Sequence, residues 1–285
     1  MVELAGIDDW LAQREVTVPG LRNGCGAEIV WAGAAETETE WSVVYLHGFS
    51  ATQQDLRPMP DRLAAALGAN LFLARLTGHG QDGDALAAAT DAAWRYDAQE
   101  AIDIGHLIGR KVLLIGCSTG CTLAALALAG GAKVDGCVLV SPNFGLRHLL
   151  ARLVLALPGV RHYGHLLAGS ERSFPALSPE HEAFWTLRYP TRALYPMNDL
   201  VRDAWRSDLE GIATPLLMVL NDGDQVVNPA KARKVMRRWG GPVTHVSLEQ
   251  GPTDDPMGHV MAGDIMSPNQ TEPMVRRIFD WVGDL

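Results

Sequence analysis

Residues 112–132 form a run of 21 positions without one charged side chain. Length alone would admit a membrane helix, which needs about 20 apolar residues. The centre of the run argues otherwise: it reads Gly116-Cys117-Ser118-Thr119-Gly120, two glycines around a small polar triplet. The residues before it, Lys111-Val112-Leu113-Leu114-Ile115, are short, aliphatic and strand-like. The residues after it, 119–129, are rich in Ala and Leu and helix-like. The run therefore reads as a buried strand, a sharp turn and a buried helix. A chain built on such a unit belongs to the α/β class, with helices covering both faces of a mostly parallel sheet.

The same alternation recurs along the chain. Residues 41–46 (WSVVYL), 70–76, 111–115, 134–140, 215–220 and 243–248 read as strands. Residues 55–67, 87–109, 119–129, 229–239 and 272–282 read as helices between them. Five to seven near-continuous apolar strands predict a sheet buried on both sides. At 285 residues the chain is about twice a common domain length, yet one sheet can organise all of it. Hydrophobic residues at 47% and charged residues at 20% exclude a disordered chain.

One stretch breaks the rhythm. Residues 146–212 carry no strand-like run, have helical stretches at 148–157 and 197–209, and are punctuated by Pro158, Pro175, Pro179, Pro190 and Pro196. A helical insertion after a sheet strand reads as a cap over the strand ends, where open α/β sheets bind ligands. The expected organisation is a core domain of residues 1–145 and 213–285 with a cap subdomain at 146–212. The plainer alternative is a surface helical pair unrelated to the site.

Charge and special residues narrow the function classes. A net charge of −9 disfavours nucleic acid as a partner. The first forty residues hold eight acidic side chains against two Arg, which suits a partner strip or a solvated lead-in. No sequence feature sets an oligomeric state. Residues 1–10 lack the basic start and apolar run of a secretory signal, and the four cysteines, Cys25, Cys117, Cys121 and Cys137, lack CxxC spacing. A reduced, cytoplasmic setting without a membrane span is the expectation. His181-Glu182 lacks a second His at metal-site spacing, and His162/His165 form only a lone pair, so no metal is expected. No dinucleotide fingerprint follows the first strand, and no cofactor is expected.

The chemistry sits at the turn. In Gly-x-Ser-x-Gly between strand and helix, a strained bend lifts the serine hydroxyl above the sheet, and crowding demands glycine two residues to either side. A serine hydroxyl is a weak nucleophile until an imidazole takes its proton, and the imidazole needs a carboxylate on its other nitrogen. Among nine histidines, His259 is the strongest candidate base, in a loop between the last strand and the last helix. His47 and His79 suit backbone shaping. His148, His162, His165 and His181 lie in the cap region, and His106 and His245 fall within a helix and a strand. Asp222 and Asp224 both follow a late strand; Asp254 and Asp255 are further acids near His259.

With these motifs in place, the chain from residue 41 to its end resembles the α/β-hydrolase superfamily, in particular compact bacterial carboxylesterases and monoacylglycerol lipases. His47-Gly48-Phe49-Ser50 resembles the family's oxyanion loop, and Gly78-His79-Gly80 its G-H-G turn. The elbow at Ser118, then Asp224-Gln225-Val226-Val227 and Gly258-His259-Val260, complete the family's order. The resemblance selects Asp224 over Asp222. It implies a Ser118–Asp224–His259 set, with the backbone N–H groups of Phe49 and Thr119 as oxyanion donors. A single glycine between His47 and Phe49 departs from the H-G-G-G run of hormone-sensitive-lipase-like esterases. Cys117 beside Ser118 invites a thiol reading, but in the Gly-x-Ser-x-Gly frame it is expected to point into the sheet.

The resulting expectation is a serine hydrolase of small carboxylic esters, short- to medium-chain acyl esters or monoacylglycerols, working through an acyl-enzyme. Other triad chemistry is the alternative: carbon–carbon bond hydrolysis, thioester or amide cleavage, or acyl transfer. A non-catalytic ligand-binding protein on the same fold is the third reading.

Overall fold

The computed structural model describes residues 3–157, 159–161, 163 and 169–285. The elements run α1 (Ile7–Val16), β1 (Glu28–Val30), β2 (Thr39–Leu46), α2 (Met59–Leu67), β3 (Asn70–Leu73), α3 (Gly83–Ala88), α4 (Asp91–Ile108), β4 (Gly109–Cys117), α5 (Thr119–Ala129) and β5 (Gly136–Val140). They continue with α6 (Leu149–Ala156), β6 (Glu171–Ser173), α7 (Pro179–Phe184), β7 (Arg188–Pro190), α8 (Leu194–Arg206), β8 (Leu216–Leu220), α9 (Pro229–Met236), β9 (Val243–Ser247) and α10 (Pro268–Gly283).

Seven strands form one sheet in the order β1-β3-β2-β4-β5-β8-β9. All neighbours are parallel except β1, which pairs antiparallel with β3 at the edge. The buried stretches of the inner strands are apolar at successive positions because alternate residues enter two different cores. Val44, Leu46, Val112, Leu114, Leu216 and Met218 face a core shared with α1, α4, α5 and α8. Val43, Tyr45, Leu113, Ile115, Leu217 and Val219 face the opposite core, closed by α2 and α10. The strand β4 lies at the centre, so its C-terminal end opens in the middle of the sheet's carboxyl edge.

The six strands expected from sequence are all present with ends shifted by a few residues, and two of the helices differ for local reasons. The helix expected at 55–67 is a 3-10 turn over Gln53–Asp55 followed by α2, with Pro58, which has no N–H to donate, between them. The helix expected at 87–109 is split, because Thr90 is extended and caps a new start at Asp91, its hydroxyl accepting from Ala93 N. Residues 146–212, read as free of strands, hold the short antiparallel pair β6–β7. Edge strand β1 is only three residues long and half-exposed, too short for a periodic signal. Between β5 and β8, helix α8 places Met197, Leu200 and Ala204 in the same core as α4 and α5. Among the described residues, no helix is long and apolar enough to cross a membrane.

Candidate active site

The 21-residue run is β4, the Ser118 turn and α5. Ser118 takes φ 50°, ψ −108°, a strained conformation that a non-glycine residue holds only when its surroundings dictate it. They do so here by hydrogen bonding. Ser118 N donates to Val140 O at 3.0 Å, and Ser118 O accepts from both Cys121 N and Asn143 N at 3.1 Å. The flanking glycines leave no room for a side chain. A Cβ on Gly116 would lie 2.7 Å from Cys121 N, and one on Gly120 would lie 2.1 Å from Leu46 O. Cys117 points away into the sheet core, where burial holds its thiol well above the ordinary range. Cys121 is buried too, its Sγ 3.0 Å from Gly116 O.

Asp224 and His259 reach Ser118 from the loops after β8 and β9. Buried Asp224 accepts Val226 N at 2.7 Å and Val227 N at 2.9 Å on Oδ1. Its Oδ2 lies 2.8 Å from His259 Nδ1. A carboxylate only accepts, so Nδ1 carries the proton and Nε2 presents a lone pair. That Nε2 lies 3.0 Å from Ser118 Oγ. Burial works against the imidazolium of His259, but the Asp224 carboxylate, with Asp255 and Asp55 behind it, outweighs burial and raises its pKa above the ordinary value.

The backbone of His259 is held just as closely. Asp255 Oδ2 accepts His259 N at 2.9 Å and Val260 N at 2.8 Å, and Ser141 Oγ donates to His259 O at 2.5 Å. Asp222, the competing acid, faces outward and pairs with Arg233 at 2.7 Å.

Of the two expected amide donors, Thr119 directly follows Ser118 and Phe49 directly follows Gly48. Thr119 is the first residue of α5, where an N–H has no intrahelical acceptor. Neither amide donates to an acceptor among the described residues. The loop before Phe49 abuts the serine, since a Cβ on Gly48 would sit 3.5 Å from Ser118 Cβ. Buried His47 sets the direction of the Phe49 amide. Its Nε2 accepts from Leu76 N at 3.1 Å, which leaves the proton on Nδ1 to donate to Gly48 O at 2.8 Å. In a trans peptide the Phe49 N–H points opposite to the Gly48 C=O, so fixing one aims the other. Burial lowers the His47 pKa to about 4, so the ring stays neutral near pH 7.

The remaining histidines lie elsewhere. His79 is buried against His47 and Phe49, His106 bonds Lys133 O, and His181 stacks edge-on with Trp185. His148 belongs to the segment before α6, and His245 lies on β9. His162 and His165, weighed as a metal pair, lie outside the described residues. Sequence reasoning missed Asp55, Asp255 as a backbone anchor, and Ser141. Ser141 meets His259 from a distant loop, whereas Asp55 and Asp255 take amides four to seven residues away within their own loops, at spacings that no sequence motif marks.

The sequence model of the alpha/beta hydrolase family matches residues 43–264, most of the chain and all of the residues just described. The chain belongs to this family. Among solved structures, the hydrolase chain is similar to one from the study of LipS and LipT, two metagenome-derived lipolytic enzymes (TM-score 0.75, 18% identity, 93% of this chain and 100% of that one). It is similar to a soluble variant of monoglyceride lipase from Saccharomyces cerevisiae in complex with a substrate analogue (TM-score 0.67, 13% identity, 94% and 95%). A third is the monoacylglycerol lipase of Paleococcus ferrophilus (TM-score 0.62, 15% identity, 90% and 98%). At these identities the likeness is one of fold. Among curated proteins, none matches the sequence.

Proposed function

We propose that this α/β hydrolase cleaves carboxylic esters through an acyl-enzyme on Ser118. The observation that carries the reading is the continuous chain Ser118 Oγ–His259 Nε2 at 3.0 Å and His259 Nδ1–Asp224 Oδ2 at 2.8 Å. In the first half-reaction Ser118 Oγ attacks the acyl carbon while His259 Nε2 takes its proton. Asp224 holds the ring and stabilises the imidazolium. His259 then hands the proton to the departing alcohol. In the second half the same nitrogen takes a proton from water, which attacks the acyl carbon and returns Ser118. The amides of Phe49 and Thr119 receive the oxyanion in both halves, and a donor of this kind contributes about 10²–10³ in rate.

In this reading residues 146–212 are the cap. Thr186 N donates to Ser50 O at 2.7 Å, joining that segment to the oxyanion loop. The fold-level likeness to lipolytic enzymes and monoacylglycerol lipases supports short- to medium-chain acyl esters or monoacylglycerols as the substrate class. The test is turnover of a p-nitrophenyl acyl series. Ser118→Ala is expected to lower kcat by about 10⁴-fold or more, and retained turnover overturns the assignment. Labelling of the wild-type chain by a fluorophosphonate, absent from Ser118→Ala, separates a hydrolase from a ligand-binding protein. Esters, thioesters and amides of one acyl group compared side by side identify the preferred leaving group.

A further inference from the structure

Asp55 is a buried carboxylate outside the Ser118–His259–Asp224 chain. It is 2% exposed, and among the described residues no Lys or Arg pairs with it. Burial pushes its pKa up to about 6 against the hydrogen bonds that favour its charge. A group kept in so unfavourable a place is a candidate for function. Its contacts indicate which. Asp55 Oδ2 accepts Gly48 N at 2.9 Å, and Oδ1 accepts the hydroxyl of Tyr45, itself fully buried on β2. The backbone of Asp55 is wedged in turn by the segment following His259, where a Cβ on Gly263 would lie 2.7 Å from Asp55 O. Gly48 is thus gripped on both sides, its N–H by Asp55 and its C=O by His47. Two fixed peptide planes leave the glycine no torsional freedom, and the next amide in the chain is Phe49.

Resting on the ester-hydrolase reading, we propose that Asp55 is a positioning residue for the oxyanion. It holds the Gly48 peptide so that the Phe49 amide stays aimed at the acyl carbonyl oxygen above Ser118. Glycine at 48 makes the grip necessary, because no side chain of its own restricts its torsions. Tyr45, on β2, holds the other oxygen of the carboxylate, so the loop is registered against the central sheet.

The test compares Asp55→Asn with the paired replacement Tyr45→Phe/Asp55→Leu. Asparagine preserves the grip, with Oδ1 accepting from Gly48 N and Nδ2 donating to the Tyr45 oxygen. The paired replacement substitutes an apolar pair of similar shape and removes the carboxylate from the Gly48 and Leu56 amides and the Cys117 thiol, without leaving the Tyr45 hydroxyl unpaired, which keeps the fold where Asp55→Ala alone could fail. On p-nitrophenyl butanoate, the pair is expected to lose about 10- to 100-fold in kcat with KM within about threefold. That is the signature of an interaction made in the transition state. Asp55→Asn is expected to stay within about fivefold. Hydrogen exchange at the Gly48 amide is expected to rise at least about tenfold in the pair and little in Asp55→Asn. A folded pair with wild-type kcat overturns the proposal, as does unchanged exchange at Gly48. Equal kcat losses in both variants with protected exchange overturn it too. A wild-type chain without ester turnover sinks the ester reading instead, and exchange at Gly48 then still decides whether Asp55 holds the loop.

Discussion

Replacing Gly120 with Ala probes the join between the nucleophile turn and the oxyanion loop. A Cβ there would lie 2.1 Å from Leu46 O and 2.9 Å from His47 O, where real Cβ contacts essentially never fall under 3.0 Å. The backbone must therefore open by about 0.9 Å. No flexible side chain can absorb this, since both obstacles are carbonyls leading into the His47-Gly48-Phe49 loop. Leu46 is moreover in register with Gly116 across the β2–β4 pairing, so the strand cannot retreat without disturbing the turn itself.

Overpacking of this kind costs about 2–3 kcal/mol, a drop in melting temperature of roughly 5 °C for a chain of this size. A displacement near 1 Å in a reacting constellation costs about 10²-fold in rate. The assays are thermal unfolding and p-nitrophenyl ester kinetics, with Gly33→Ala as control because nothing lies within 4 Å of its Cβ position. Gly120→Ala is expected to fold with lowered stability and about 10²-fold lower kcat, while the control matches wild type. A stable Gly120→Ala variant with wild-type kcat would refute the idea that β2 and the elbow are packed backbone to backbone.

In the proposed mechanism His259 must be neutral to accept the Ser118 proton, and its pKa lies above the ordinary 6.5, so kcat/KM is expected to rise with pH through a midpoint above that value. Asp224→Asn should lower kcat by about 10³–10⁴-fold and move the midpoint down; a midpoint unmoved by the substitution would count against Asp224 as its partner. His47→Ala should lower kcat by about 10- to 100-fold with little change in KM, since Gly48 O loses its donor and the Phe49 amide its aim; steady-state kinetics check this, and an equal loss through KM would contradict it. The raised pKa of Asp55, about 6 against 3.8, means the folded chain takes up a proton between those values, so stability is lost as pH rises through 6. Urea unfolding of Asp55→Asn should therefore show a gain of up to about 3 kcal/mol over wild type at pH 8, closing as pH falls toward 4. A gap independent of pH would place the unfavourable charge elsewhere.

Local pattern made the sheet and the nucleophile turn legible. Apolar runs such as Trp41-Ser42-Val43-Val44-Tyr45-Leu46 can be satisfied only by burial on both faces, and the structure divides their alternate residues between two cores. The pair Gly116 and Gly120 is equally local, because the crowding that forbids their side chains is made by residues within a few positions and by the adjacent strand end. Helix boundaries were less legible where a single residue decided them. Thr90 is unremarkable in composition, yet its extended backbone and capping hydroxyl break the helix expected at 87–109.

The sequence by itself determined the α/β class, the strand–turn–helix at Ser118 and the order of the motif-bearing loops, since each is set by short-range sterics and by hydrophobic periodicity. The family resemblance selected Asp224 over Asp222, and the tertiary structure supplies the physical reason for that choice. Asp222 and Asp224 differ by two positions, so their side chains leave the loop in different directions: one pairs with Arg233 in solvent, the other lies buried 2.8 Å from His259. Tertiary structure alone decided that Asp55 and Asp255 hold backbone amides of the loops around Ser118. These bonds span only four to seven residues, but which amide each carboxylate takes depends on how its loop folds against the sheet, and spacing along the chain does not encode that.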